Sequence, residues 1–479
     1  MLFRSGNAER NAGTSAEVPV EAPSLDGTRL VVVTNSRVWS PGEGRSVRFT
    51  GLVAALVHRG MRVDFLTSRT HLSDEDMNSI LATGVSSVIS GTRAQEGRRD
   101  SVTRKALHAL LPTALRTALR GFRRKLRFPR RPARGNSRPA KLSDVRDPAL
   151  ISMTRDYIER HHPDFCLVEY VMHTYVLDCL KDLEPSSRPI TMIDTHDVQW
   201  QKKAELRDRG LKTDMMISQE EETGLLKKYD VIIAITEEDK QEFVRSVPGD
   251  GAVVFCPPVW AVAGPPPARP EETKRLMFVA GDSAPNALGI EDFLLHAWPI
   301  IAKVHPDAVL RVVGSVSNRM ADCCATNVIC DGFVEDLSAA YRWTDIVIAP
   351  VTVGGGLKIK VVEALANGRP VIATSHSAVG LRDAIGNGLI HAADWTAFAQ
   401  AANDLLADAP RRNRLGTGAF DFVRERFNEY AAMKELVNAM SRAMKRRTHV
   451  PNGYCADHSR CQVPGSATDV APNNTQRGF

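Results

Sequence analysis

The sequence has no long apolar run that could form a membrane-spanning helix. Its longest uncharged stretch, Gly251–Pro267, contains five prolines, which prevent a continuous helix. Eight cysteines are present, but they are scattered, without disulfide-like spacing and without a secretory signal ahead of them. We therefore expect a protein of the reducing cytoplasm, with no transmembrane segment.

Several short motifs of nucleotide-binding and hydrolytic enzymes are also missing. There is no Gly-x-Gly-x-x-Gly, which disfavours a dinucleotide-dependent dehydrogenase, and no Gly-Lys dipeptide, which excludes a P-loop ATPase. Gly-x-Ser-x-Gly does not occur either, so an α/β-hydrolase is disfavoured. The absence of these motifs therefore argues against several common classes of α/β enzyme.

Charge is distributed unevenly. The 479 residues carry a net charge of +6, yet residues 93–146 contain 17 Lys and Arg against 3 acidic residues, a local charge of +14. Within this basic insert, residues 106–126 have a helix-like apolar stripe with a cationic end, which fits docking on an anionic membrane surface. A solvated insert without a partner stays the alternative. Nucleic acid is disfavoured, because Phe122 and Phe128 are its only aromatic residues.

Short apolar strands alternate with helix-length stretches along most of the chain, as expected for parallel sheets. At roughly 150 residues per domain, the length predicts about three units, or two large ones with tails. We predict a doubly wound N-terminal domain over 28–258, a proline-rich linker over 259–274, and a second doubly wound domain over 275–444 that includes a closing helix. Residues 1–27 and 445–479 are predicted to be a disordered leader and tail.

The most informative stretch is a glycine turn, Gly354–Gly356, followed by a helix predicted to open at about Leu357. The turn follows a strand, so it lies at the carboxyl edge of a sheet, where ligands bind in open α/β folds. Consecutive glycines and a helix N-terminus favour a phosphate. Lys360 and Glu363 share one helical face and are suited to a diphosphate and to the hydroxyls of a ribose. This pattern predicts a nucleoside diphosphate site.

The second half of the chain resembles the donor-binding domain of family 4 glycosyltransferases, which have the GT-B fold. The first half is similar to the acceptor domain of that family in its opening βαβ unit and in residues 194–197. The stretches that carry the resemblance in the second half are Phe278–Gly289, Leu310–Gly314, Gly332–Val334, Asp345–Pro350 and Gly354–Thr374. The resemblance implies two Rossmann-like domains facing each other across a cleft. It also implies transfer of a sugar from a nucleotide-diphosphate-sugar, with retention of configuration, no cofactor and no metal.

The resemblance also implies roles for individual residues. His196 is the catalytic candidate and would meet the sugar, Glu363 would hold the ribose, and the backbone near Phe333 and Val334 would hold the base. The candidates for the diphosphate are Gly44, Gly354, Gly355, Gly356, Lys358 and Lys360. Further candidates at the site are Asp197, Ser283 and Asn286.

This sequence departs from the family pattern at two places. Gly355 stands where the first of a pair of glutamates is expected, and Ser283 and Asn286 occupy the neighbourhood of an expected Arg and Lys. Lys358 and Lys360 would then have to supply most of the positive charge.

The expected partners are a nucleotide-sugar donor and a glycan or lipid-linked acceptor, with peripheral attachment to the inner membrane face through residues 93–146 as an open alternative. No nucleic acid partner is expected. A nucleotide-sugar epimerase, or a membrane- or nucleic-acid-binding protein on the same scaffold, stays a competing hypothesis.

Overall fold

Two parallel sheets, each flanked by helices, form the two lobes of the molecule. The computed structural model describes residues 24–39, 44–91, 139–262, 264, 273–320, 325–334 and 336–448. Most of the basic insert, including its predicted amphipathic helix, therefore lies outside the described residues. Among the described residues, no helix combines the length and the apolar character that spanning a bilayer requires.

The first lobe has a seven-stranded parallel sheet in the order β3-β2-β1-β4-β5-β6-β7. Its central strands are buried on both faces, which explains their continuous apolar sequences. The strands are β1 Arg29–Val33, β2 Arg62–Thr67, β3 Ser87–Ser90, β4 Phe165–Glu169, β5 Ile190–Asp194, β6 Val231–Ala234 and β7 Ala252–Phe255. The helices are α1 Gly44–His58, α2 Asp74–Leu81, α3 Pro148–His161, α4 Gln199–Asp208, α5 Gln219–Leu226 and α6 Glu237–Ser246.

The second lobe repeats this plan with a six-stranded parallel sheet in the order β10-β9-β8-β11-β12-β13. Its strands are β8 Arg275–Val279, β9 Val309–Val313, β10 Val328–Gly332, β11 Ile346–Ala349, β12 Val371–Thr374 and β13 Leu389–Ala392. Its helices are α7 Ala284–His296, α8 Trp298–Val304, α9 Leu337–Trp343, α10 Ile359–Ala366, α11 Trp395–Ala407 and α12 Ala409–Arg426. The predicted fold class, α/β with two doubly wound lobes, is confirmed.

The closing helix, α13 (Glu429–Thr448), lies on a different lobe from the one that the sequence pattern indicates. We predicted it as the end of the C-terminal domain, but its apolar face packs into the core of the first lobe. The buried side chains on that face are Met433, Leu436, Val437, Ala439 and Met440. The chain thus crosses back, and the helix continues to Thr448, so residues 445–448 are not part of a disordered tail.

Two predicted helices are each divided in two. The pattern over 289–304 forms α7 and α8, because Pro299 fits only the first turn of a new helix. The pattern over 419–444 is divided near Asn428, whose side chain caps α13 by accepting from the Ala431 N–H at 2.9 Å. Pro299 and the Asn428 cap therefore set helix boundaries that the apolar periodicity alone does not show.

Candidate active site

The glycine turn lies at the carboxyl end of β11 and faces the first lobe. Gly354 and Gly356 have positive φ angles of 97° and 71°, a region that favours glycine. The N–H of Gly354 donates to the Glu205 carboxylate of α4 at 2.9 Å. A Cβ atom on Gly356 would lie 1.6 Å from Oδ1 of Asp197, so the first lobe leaves no space for a side chain there. The turn therefore forms part of the contact between the lobes.

Lys358 holds the turn in shape. Its ammonium donates to the carbonyl oxygens of Gly354, Gly355 and Gly356 at 2.7, 2.9 and 3.0 Å. Burial lowers the pKa of this lysine to about 8. In this arrangement Lys358 orients the backbone of the turn instead of pointing freely into the cleft.

Helix α10 begins at Ile359, two residues later than the sequence pattern predicts, and Lys358 is its N-cap residue without a side-chain cap. The first N–H groups of the helix are left for another acceptor. Gly44, the first residue of α1, lies against this point, because a Cβ atom on it would be 3.1 Å from the Ile359 side chain. Gly44 of the first lobe therefore lies beside the start of α10, and its approach to a diphosphate stays a prediction.

Lys360 lies next to the start of α7. Its ammonium bonds to the side-chain oxygen of Asn286 and lies 5.1 Å above the centre of the Phe278 ring. Burial, together with the neighbouring Lys358, lowers the pKa of Lys360 to about 7. Ser283 is the N-cap residue of α7 and makes no side-chain cap bond. Three predicted site residues are thus brought to a helix N-terminus that favours an anion.

Glu363 lies one turn further along α10 and is partly buried. Burial raises the pKa of Glu363, and the buried Tyr341 of α9 is its electrostatic neighbour. Val361, Val362 and Leu365, on the other side of α10, are buried in the core as predicted. The carboxylate is therefore held by its helix next to an aromatic hydroxyl.

Phe333 and Val334 follow β10 at the same sheet edge. Phe333 is 68% exposed, whereas Val334 packs against the core. Since all strands of this sheet are parallel, their carboxyl ends line up, and these two residues share an edge with the glycine turn and Ser283.

His196 follows β5 in the first lobe and is buried. Its Nε2 atom lies 2.7 Å from the Glu169 carboxylate. The ring of Tyr170 stacks on the imidazole at a centroid distance of 3.9 Å. Both His196 and Tyr170 have positive φ angles, 62° and 68°, which are strained for residues with side chains and are typical of functional sites. The structure therefore fixes this imidazole on two sides.

Arg48, Glu169, Asp194 and His196 form a buried histidine network. Arg48 binds both carboxylate oxygens of Asp194, at 3.0 and 3.1 Å. Burial alone would lower the pKa of His196, but the carboxylates of Asp194 and Glu169 raise it above the usual value. Burial raises the pKa of Glu169. The pKa of Asp194 is lowered, since Arg48 and His196 together outweigh the effect of burial.

The same network has ligand spacing suited to a metal ion. One ligand atom each from Glu169, Asp194 and His196 lie within 4.8 Å of one another. However, the Arg48 guanidinium occupies both oxygens of Asp194, so a cation is already paired with that carboxylate. The donor set therefore fits a buried ion-pair network better than a metal site.

Sequence reasoning missed several residues at the site. Glu169 ends β4 and Tyr170 follows it, and a charged residue closing an apolar strand is a signal that could have been followed. No local pattern indicates the pairs Arg48–Asp194, Glu205–Gly354 and Glu205–His376, because their members lie 146, 149 and 171 residues apart. Tyr341 was missed as well, since its neighbour Glu363 belongs to a different helix.

Comparison with solved structures defines the fold. HepE of Anabaena, solved in complex with UDP and glucose, matches with a TM-score of 0.54 and 12% identity, over 88% of this chain and 99% of that one. The protein has a GT-B fold. It has two Rossmann-like lobes that face each other across a cleft, and its last helix crosses back from the second lobe to the first.

Comparison of sequences adds a match to a family model over part of the chain. Residues 273–408 match the family model described as "Glycosyl transferases group 1". An uncharacterized 44.6 kDa protein in the cps region of Klebsiella pneumoniae is 27% identical over 164 residues, 32% of this chain and 42% of that protein. D-inositol 3-phosphate glycosyltransferase of Stackebrandtia nassauensis is 28% identical over 251 residues, 48% of this chain and 55% of that protein. The chain therefore spans about half the length of these relatives.

Proposed function

We propose that the protein is a glycosyltransferase that moves a sugar from a nucleotide-diphosphate-sugar to an acceptor, with retention of configuration and without a divalent metal. The observation that carries the proposal is the contact of Lys360, in the first turn of α10, with Asn286, in the first turn of α7, because neither helix start has a side-chain cap. A diphosphate is the ligand best suited to such a place. The family match of residues 273–408 supports the same reading.

In this proposal the second lobe holds the donor. The diphosphate lies at the starts of α7 and α10, with Ser283, Asn286 and Lys360 around it. The Glu363 carboxylate, on the same face of α10, accepts hydrogen bonds from the ribose hydroxyls. The exposed Phe333 offers an aromatic face for the base.

The main catalytic task is to stabilise the negative charge that develops on the leaving diphosphate. Lys360 and the backbone N–H groups at both helix starts face that charge where the two lobes exclude water. The leaving phosphate oxygen takes the proton of the acceptor hydroxyl as the new glycosidic bond forms on the same face of the sugar. No dedicated base is then required.

His196 has a positioning and polarising role in this proposal. Its imidazole is held by Glu169 and stacked by Tyr170, at the end of the first-lobe sheet. Its backbone carbonyl lies 3.5 Å from the place of a Cβ atom on Gly356, so residue 196 lies next to the glycine turn. There it would contact the sugar of the donor.

The acceptor that we favour is a polysaccharide or glycolipid intermediate. Support comes from the relative in the cps region. Peripheral attachment through residues 93–146 would fit a lipid-linked acceptor. Co-sedimentation with anionic and neutral liposomes, with and without that insert, tests the attachment, and equal sedimentation in all cases would reject it.

A thermal-shift screen with UDP, GDP, ADP and TDP tests the donor site. A ligand at 100 times its dissociation constant stabilises a protein by about 2.7 kcal/mol, so one nucleotide should raise Tm clearly. The Glu363→Ala variant should lose this shift, whereas Glu425→Ala, at an exposed position of α12, should keep it. Binding that persists in a chelator supports metal independence. If none of the four nucleotides shifts Tm, the proposal is wrong.

A further inference from the structure

The glycine turn has no side chain that could accept a hydrogen bond. Residues 353–357 are Val353, the three glycines and Leu357, and Gly355 at the middle is exposed. A sugar next to this turn would find no side-chain acceptor within the turn, and Lys358 already donates to its three backbone carbonyls. Because sugar hydroxyls bind best to charged acceptors, a second source of a carboxylate is needed.

Glu205 of α4 brings such a carboxylate across the cleft. One oxygen accepts from the N–H of Gly354 at 2.9 Å, and the other lies 2.6 Å from Nε2 of His376, which follows β12. The Glu205 side chain is 29% exposed, so it is not sealed off from the cleft. An ionised carboxylate offers about four acceptor positions, and these two contacts leave about two for a ligand.

The position of Glu205 is well supported by its own lobe. The buried Glu222 carboxylate accepts from the N–H groups of Gln199 and Trp200, at 3.0 and 2.7 Å, and so caps the start of α4. Asp197, the other acid near the turn, pairs with Lys202 at 2.5 Å, and its Oδ1 atom packs so closely against Gly356 that a Cβ atom there would lie only 1.6 Å away, which leaves no space for a sugar. Glu205 is therefore the better placed acceptor for an uncharged polyol.

We propose that Glu205 reaches across the cleft to hold the sugar of the donor, accepting hydrogen bonds from its hydroxyl groups where the glycine turn has no side-chain acceptor of its own. This inference rests on the proposed function. It makes Glu205 a residue that determines which sugar is accepted, and it couples sugar binding to the approach of the two lobes, since the carboxylate and the turn belong to different lobes.

The test compares the binding of a nucleoside diphosphate with that of its hexose conjugate. The nucleotide with the largest thermal shift is chosen, and both ligands are titrated calorimetrically into wild type, Glu205→Gln and Glu205→Ala. We expect the affinity for the bare diphosphate to stay within about twofold. The affinity for the conjugate should fall about tenfold in Glu205→Gln and about 100-fold in Glu205→Ala, since each hydrogen bond to a charged acceptor contributes about tenfold.

Glu238→Gln is the matched control. Glu238 is also a first-lobe glutamate that contacts the second lobe, through Arg382 at 3.5 Å, but it does not touch the turn. This variant should bind both ligands as wild type does. If the control loses the conjugate as strongly as the Glu205 variants, the effect is one of lobe contact and the inference is wrong.

The remaining outcomes also decide the matter. Equal losses of affinity for both ligands in the Glu205 variants would show that Glu205 only holds the two lobes together. Tighter binding of the bare diphosphate would show that Glu205 obstructs the site. Either result overturns the inference and leaves the proposed function standing. If wild type binds neither ligand, the proposed function itself fails. Should Glu205→Ala not fold, the Glu205→Gln result decides alone.

Discussion

The histidine network and the glycine turn face each other across the cleft but are built in opposite ways. In the network, buried charges are paired by side chains, as Arg48 and Asp194 are only 1% and 0% exposed. At the turn, Lys358 donates to three backbone carbonyls and Lys360 to an amide oxygen, and burial lowers their pKa values to about 8 and about 7. The first region pairs its cations with carboxylates, whereas the lysines of the second donate to uncharged oxygens, which suits the anion that we propose there. Substitutions should therefore affect folding in one and binding in the other.

Removal of Arg48 should have the largest effect on stability. Arg48→Ala leaves the Asp194 carboxylate buried without its cation, which costs about 3–5 kcal/mol. Urea denaturation followed by circular dichroism measures the loss. The control is Arg37→Ala, because the Arg37 side chain is 52% exposed in its pair with Asp76 and should contribute no more than about 1 kcal/mol. Similar losses in the two variants would contradict the contrast between the regions.

A methyl group on the glycine turn should affect activity much more than folding. In Gly356→Ala the new Cβ atom meets Asp197, and the backbone keeps a φ of 71° that alanine disfavours. The lobes cannot then approach as they do in the structure, and a displacement of about 1 Å can cost about 100-fold in rate. Steady-state transfer assays measure this effect.

Gly355→Ala is the matched control for that substitution. Its new Cβ atom would meet only the Cβ atom of Lys202 at 3.8 Å, an ordinary contact. We expect transfer within about threefold of wild type, as is typical for an unstrained surface change. An equal loss in both alanine variants would show that the turn needs flexibility and not a close approach.

Binding of the donor should weaken as the pH rises above 7. Without a ligand, Lys360 has a pKa of about 7, since burial disfavours its charge. A bound diphosphate favours the charged form and raises that pKa. Binding therefore takes up a proton between the free and bound pKa values, and affinity falls by up to about tenfold per pH unit in that window. Calorimetry from pH 6 to 9 with a nucleotide-sugar measures this slope. The Lys360→Met variant should bind weakly with a much flatter profile; an unchanged slope would assign the proton to another group.

The smallest effect is expected at a buried acid near the contact between the lobes. Burial, with help from Asp197, raises the pKa of Asp239 to about 7, and its Oδ2 atom is buried without a hydrogen bond partner. Because the pKa is raised in the folded protein, the unfolded chain loses this proton at a lower pH than the folded protein does. The acid therefore costs no stability below its unfolded-state pKa, and it lowers the free energy of unfolding increasingly as the pH rises towards 7. Asp239→Asn should therefore stabilise the protein at pH 8 by about 1 kcal/mol, or roughly 2–4 °C in Tm, and give no gain near pH 3.5. A gain that is independent of pH would contradict this cause.

Much of the fold could be predicted because it depends on local patterns. The strands Arg62–Thr67, Ile190–Asp194 and Val309–Val313 have the bounds that their apolar runs indicate. Helix α10 buries the face predicted from its spacing. The roles of His196, Glu363 and the other site residues stay predictions, since only binding and activity can test them.

The sequence by itself determined the alternation of strands and helices, the two-lobed α/β plan and the place of the glycine turn. These follow from apolar periodicity and glycine conformation, which act over a few residues. The tertiary structure alone decided that α13 returns to the first lobe, that Arg48 neutralises Asp194, and that Glu205 touches Gly354. Such partners lie 146 and 149 residues apart, and their pairing depends on burial and distance that no local pattern contains.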